Sequence, residues 1–268
     1  MQTNMPFIPR TFQLLVFAAT AVIIIGTNYL DHEYAGLASN FLNLAITAPL
    51  VAVSILVLIR ERTRGDLGKA FACFASFAVM WFVAEQIWTI YEVIYNVDPW
   101  PSEADFFWLA GYPLYIAFTI FYLRPFRNMI PLRLVASAIG IAATIGVLLI
   151  YYTALQESSL SEFETVLGLA YPLADTVSLV PVMVGLALFF RGQVSFLWSY
   201  MLFGMLGFVV ADYGYLFFSL DDSYYTGHPI DITYNWAYVF FLFGSYNHAI
   251  LFKKRSEENR FNNQEKFR

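Results

Sequence analysis

Eight long apolar stretches alternate with polar gaps, and positive charge enters only every second gap. Arg10 precedes the first stretch. Arg60, Arg62, Arg64 and Lys69 flank the second gap, Arg124, Arg127 and Arg133 the fourth, and Arg191 the sixth. Lys253, Lys254 and Arg255 open a tail that is itself mixed in charge. The remaining gaps have no Lys or Arg; they carry Asp31 and Glu33, Asp98 and Glu103, then Glu157, Glu162 and Glu164, and last Asp221 and Asp222. A helix crosses the hydrocarbon core of a bilayer with about 20 apolar residues, and loops rich in Lys and Arg stay on the cytoplasmic side. The pattern therefore predicts an all-α integral membrane protein of eight transmembrane helices with both termini cytoplasmic. Composition agrees: 59% of residues are hydrophobic and 13% charged, where a soluble domain has about a quarter charged.

The predicted spans are 11–30, 41–59, 70–95, 105–123, 132–152, 165–190, 196–219 and 231–252. No strand-period alternation competes with them. The first reads as an uncleaved helix, because no small-residue cleavage site closes it. Residues 1–252 are expected to form one bundle, and residues 253–268 a short polar cytoplasmic tail, mobile and with no soluble domain after it. Pro49, Pro113, Pro172 and Pro181 fall inside spans. Each removes a helix hydrogen bond, which neighbouring helices in a bundle tolerate.

The two halves look alike. Phe82-Val83-Ala84-Glu85 aligns with Val209-Val210-Ala211-Asp212, and Arg64-Gly65 with Arg191-Gly192 at the same offset. One residue of slippage then places Asp105 on Asp231, Trp108 on Tyr234 and Tyr112 on Tyr238. Two parallel four-helix repeats follow, residues 11–123 and 132–252, related by a pseudo-two-fold along the membrane normal.

Ionisable groups deep in a span cost about 3 kcal/mol to insert and stand out as functional candidates. Glu85 and Glu92 in the third span, Asp175 in the sixth and Asp212 in the seventh qualify. Glu85, Trp88, Glu92 and Tyr95 share one helical face; Asp212 and Tyr215 share another. If these faces converge, they form an outward-opening acidic and aromatic pocket suited to a cation, an amine or protons. Lys and Arg are missing at that depth. The competing role is structural: acids protonated or hydrogen-bonded to Tyr, Trp and Asn, joining helices. For Glu92, nearer the surface, solvation is the expectation.

Asp105 and Asp231 recur in both halves, but capping explains them more simply. Ser102 reads as an N-cap with Asp105 at the third helical position, and Pro229 before Asp231 suits a first turn. His32 and His228 lie in acidic loops and are weak candidates for a metal, since no pair has ligand spacing. His248 is expected to snorkel at the inner end of the last span. Trp88, Tyr91, Tyr95, Trp100 and Trp108 read mainly as an interfacial aromatic belt.

Several functions lose ground on chemistry. A retinal protein needs a lysine in a late helix, and none is present. No histidine lies deep enough to activate a Ser or Thr nucleophile or to ligate a membrane haem. A basic groove for nucleic acid is missing. Cys73 is the only cysteine, so no intrachain disulfide forms. The sequence names no cofactor.

An ordered set of motifs completes the picture. Pro101-Ser102-Glu103-Ala104-Asp105 leads into Gly111-Tyr112-Pro113-Leu114; Ala170-Tyr171-Pro172-Leu173-Ala174-Asp175 and Val210-Ala211-Asp212-Tyr213 follow. In order and spacing the chain, over about residues 81–249, resembles the multi-helix membrane region found ahead of bacterial diguanylate cyclase and cyclic-di-GMP phosphodiesterase domains. The resemblance implies a sensor module that passes a signal to a cytoplasmic output domain. The cyclase signature Gly-Gly-Asp-Glu-Phe does not occur in this sequence, so no nucleotide chemistry carries over. The expectation is a non-enzymatic membrane sensor that signals through a separate cytoplasmic partner, its surroundings the lipid bilayer and its ligand a small molecule or cation from outside. A proton- or cation-coupled transporter is the alternative, and a lipid-modifying enzyme the third.

Overall fold

The computed structural model describes residues 8–61, 65–156, 160–192 and 194–265. Arg62, Arg64, Glu157 and residues 266–268, which contribute to the charge pattern and the tail, lie outside them. Eight α-helices follow in order: α1 Arg10–Asn28, α2 His32–Glu61, α3 Gly65–Thr89, α4 Glu103–Leu123, α5 Leu132–Ala154, α6 Glu162–Phe189, α7 Ser195–Leu220 and α8 Asp231–Glu265. No strand occurs among the described residues.

The helix ends have local causes. Capping boxes start α4 and α6: Ser102 and Asp105, then Ser161 and Glu164, exchange side-chain and backbone hydrogen bonds, which satisfies donors that a helix start leaves orphaned. Pro9 and Pro131 precede α1 and α5. Helix α2 begins at His32, well before the apolar stretch at Phe41. Its polar first turns pack on the α7–α8 connection, where Gly227 (φ +87°) comes so close to Ala35 that a Cβ would sit 2.2 Å from its carbonyl carbon. The backbone of α8 continues to Glu265, so the expected mobile tail after residue 252 is helical through that point.

Packing arranges six helices in a closed ring. Contacts run α2 to α3, α3 to α4, α4 to α6, α6 to α7, α7 to α8 and α8 back to α2. Helix α1 leans on α2 and α8 from outside, and α5 on α6. Both outer helices turn large apolar side chains outward, Leu14 and Val22 on α1 and Val147 and Ile150 on α5. Water makes such a surface costly, whereas lipid does not.

Seven helices are long and apolar enough to cross a membrane, α1 to α7, as in a multi-pass membrane protein. The eighth expected span, α8, does not meet that test. It carries Asp231, Asn235, Ser245, Asn247 and His248, all buried within the bundle. Hydropathy is demanded by lipid contact, and a helix surrounded by protein can be polar.

Candidate functional site

The ring of six helices encloses a cavity at the end of the bundle that bears the acidic loops. Its empty space, open mouth included, is about 730 Å³. Four carboxyl groups line it: Glu85 from α3, Asp105 from α4, Asp212 from α7 and Asp231 from α8. Eleven aromatic side chains form most of the remaining wall, and Lys, Arg and His are missing from it.

Each carboxyl is held by hydroxyl groups from another helix. The Tyr238 hydroxyl on α8 donates to Glu85 Oε1 at 2.5 Å; Trp108 and Asn43 are its other polar neighbours in the wall. Asp212 accepts from Tyr234 at 2.5 Å and from Tyr112 at 3.1 Å. Asp105 accepts from Tyr171 on α6 and, at 2.7 Å, from the Ser102 backbone N–H. Asp231 accepts from the Gly227 N–H at 2.8 Å, Ser39 on α2 at 3.0 Å and Tyr224 at 3.1 Å. Asp105 thus serves two purposes, closing the first turn of α4 and facing the cavity, whereas Asp231 faces the cavity and holds the Gly227 N–H of the loop before α8.

Asp175 was expected in the pocket wall and sits behind it instead. It is wholly buried and faces the carboxyl of Asp212 and the hydroxyl of Tyr112. A hydrogen bond between two carboxyl groups requires a proton on one of them. Glu92 also leaves the expected face. Helix α3 ends in a π-helical turn, Ile90–Ile94, whose wider winding breaks the 3.6-residue register. Glu92 therefore turns to α2, where Asn40 donates to it at 2.8 Å, and is neither in the cavity wall nor simply solvated. Tyr95 is left 64% exposed. Trp88 and Tyr215 do line the cavity, with ring centroids 6.4 Å apart.

Three tryptophans assigned to an interfacial belt point inward: Trp88, Trp100 and Trp108 are wall residues. Over the mouth, Trp88 Nε1 donates to Thr226 at 3.3 Å and Trp100 packs edge-on against Tyr215. His248 is fully buried against Phe71 and Tyr122 rather than snorkelling. His32 stacks on Tyr225 with centroids 3.9 Å apart, and His228 packs against the same ring at 5.3 Å. Among the described residues no three His, Cys, Asp or Glu converge as a metal ion would need.

Sequence reasoning missed the tyrosines as site residues. Tyr234 and Tyr238 entered only as repeat matches, Tyr171 only within a motif and Tyr112 as both, yet their hydroxyls hold the acids. The signal was present: in each half a tyrosine of the fourth span matches one in the other half, as the acids do.

Compared with known protein families, with curated proteins and with solved structures, the chain matches none.

Proposed function

We propose that this chain is a non-enzymatic membrane sensor whose outer cavity binds an organic cation and whose inner, basic side signals to a separate cytoplasmic partner. The observation that carries the reading is the cavity wall: four carboxyl groups and eleven aromatic rings with no basic side chain. Carboxylates and ring faces both attract a cation, and amine recognition by aromatic cages uses both. Among the described residues no ligand triad converges, which favours an organic cation over a metal ion.

In this proposal α8 is the eighth span, both termini are cytoplasmic, and the acidic loops face outward. The chain is two four-helix repeats. Hydrogen bonds support it: Tyr238 to Glu85 and Tyr112 to Asp212 are equivalent bonds that cross between the halves in opposite directions. Ring contacts support it too. Trp81 meets its match Phe208 at 4.6 Å, Tyr115 meets Phe241 at 5.5 Å and Tyr122 meets His248 at 6.1 Å. A residue touching its own repeat equivalent lies on the pseudo-two-fold axis. Those pairs descend from the cavity toward the inner end, so closure of the cavity on a ligand would shift one half against the other along a column of packed rings. The resemblance to membrane regions ahead of cyclic-di-GMP enzymes fits the same role.

Proton-coupled transport is the second reading, favoured by the buried Asp175 and Asp212 pair and by the prolines inside α2, α4 and α6. Against it, Phe77, Tyr115 and Phe241 pack below the cavity with no more than 1% exposure.

The test is thermal unfolding of the protein in lipid nanodiscs with alkylamines, quaternary ammonium ions and neutral alcohols of matched size. Cations should raise Tm and alcohols should not, and Glu85→Gln with Asp212→Asn should remove the difference. Equal effects of amine and alcohol would sink the cation pocket. Uptake of a labelled amine by proteoliposomes, driven by a proton gradient, would move the assignment to a transporter.

A further inference from the structure

Two acids face the cavity from opposite halves of the bundle, and their surroundings match group by group. Glu85 on α3 receives the Tyr238 hydroxyl and is faced by Trp108 and Asn43. Asp212 on α7 receives the Tyr112 and Tyr234 hydroxyls and is faced by Asp175. Asn43 and Asp175 hold equivalent places on α2 and α6: Gly36-Leu37-Ala38 aligns with Gly168-Leu169-Ala170, and Pro49 with Pro181, at one offset. Each of these two wall acids therefore faces one polar side chain from the neighbouring helix of its own half, an amide at Glu85 and a carboxyl at Asp212.

Between them lies an apolar slot. Trp81 precedes Glu85 by one helical turn, and Phe208 precedes Asp212 likewise; these rings meet at 4.6 Å and form a floor. Trp88 and Tyr215 follow the acids by about one turn and approach to 6.4 Å, forming a roof. The other two wall acids are less available, since Asp105 and Asp231 already accept backbone N–H and hydroxyl bonds.

We infer that the cavity selects a linear dication, an α,ω-diamine, with one ammonium at Glu85, the other at Asp212, and its methylene chain between the two aromatic layers. This inference rests on the cation pocket proposed above and specifies its ligand class. A monoamine would neutralise one wall and leave the other acid uncompensated in a site of low polarity.

The experiment is isothermal titration calorimetry on the full chain in nanodiscs, using α,ω-diaminoalkanes of increasing length and n-alkylamines of matching length. At least one diamine should bind ~10-fold or more tightly than its matched monoamine. Glu85→Gln and Asp212→Asn should each remove that advantage. Asp175→Asn, which copies the Asn43 arrangement, should keep it within about threefold. Diamines no tighter than monoamines at every length would overturn the two-point site while leaving the cation pocket standing. No binding of either kind would overturn both. Loss of the diamine advantage in Asp175→Asn would overturn the assignment of the second ammonium to Asp212, since Asp175 is not in the cavity wall. The wild-type comparison needs no variant to fold.

Discussion

The two ends of the helix ring draw on the same aromatic residues and use them in opposite ways. At the end that bears the basic loops, the inner one in the proposed topology, Phe71, Phe74, Phe118 and Trp198 are all buried, Phe74 and Phe118 with centroids 4.9 Å apart. At the outer end equally large rings stand around open space. Aromatic content alone does not leave a cavity. The difference lies in the polar groups: tyrosine hydroxyls at the outer end are tied to carboxyls on another helix, which holds the rings against the walls. Collapse would strand those acids without partners, at a cost of about 1–3 kcal/mol for each unsatisfied group. The outer space is maintained by hydrogen bonds, and the inner solidity by fit.

That contrast can be broken at either end. The largest effect is expected at the inner one. A Cβ on Gly185 would lie 2.2 Å from the fully buried Trp198 ring, so Gly185→Val should cost about 3 kcal/mol or more. Thermal unfolding followed by near-ultraviolet circular dichroism reads it directly, and an unchanged Tm would show that the inner end is not tightly packed. At the outer end Tyr238→Phe and Tyr112→Phe each remove one hydroxyl from a carboxyl, with an expected loss of about 1–3 kcal/mol apiece. Similar values for the two would sharpen the case for equivalent halves; a large loss for only one would count against it.

Smaller effects are expected nearer the surface. Ser102→Ala removes the α4 cap and should cost about 1 kcal/mol, visible as faster hydrogen exchange in the first turn of α4. In the α7–α8 loop, burial and then the neighbouring His32 hold the His228 imidazole below its ordinary pKa of 6.5. A depressed histidine is bound neutral, so its contribution to the loop is complete above pH 6.5 and is lost as pH falls below that value. The protection factors of the amides over residues 224–230 should therefore fall in acid, and His228→Gln should flatten that dependence. Val147→Ala on the outward face of α5, where the side chain is 64% exposed, should stay within about 0.5 kcal/mol of wild type.

How far the sequence reached is clear from particular residues. The capping box at Ser102 and Asp105 was readable because it spans one turn and needs no partner helix. The depth of Glu85 and Asp212 was readable from their distance to the span ends. Glu92 was misplaced because a π-helical turn is invisible to a 3.6-residue period. His248 was misplaced because depth along a helix says nothing about whether protein or lipid lies beside it. The inward turn of Trp88, Trp100 and Trp108 escaped for the same reason, since an interfacial belt and a cavity wall share composition and depth.

By itself, then, the sequence determined the helical class, the helix ends apart from the start of α2 and the end of α8, and the acids at depth, because hydropathy, caps and prolines act within a few residues of chain. Only the tertiary structure decided that α8 lies inside the bundle, that Asp175 stands behind Asp212, and that four acids share one aromatic cavity. Those depend on how each helix is rotated and which neighbour it meets, and that is settled by side-chain packing between segments far apart in the chain.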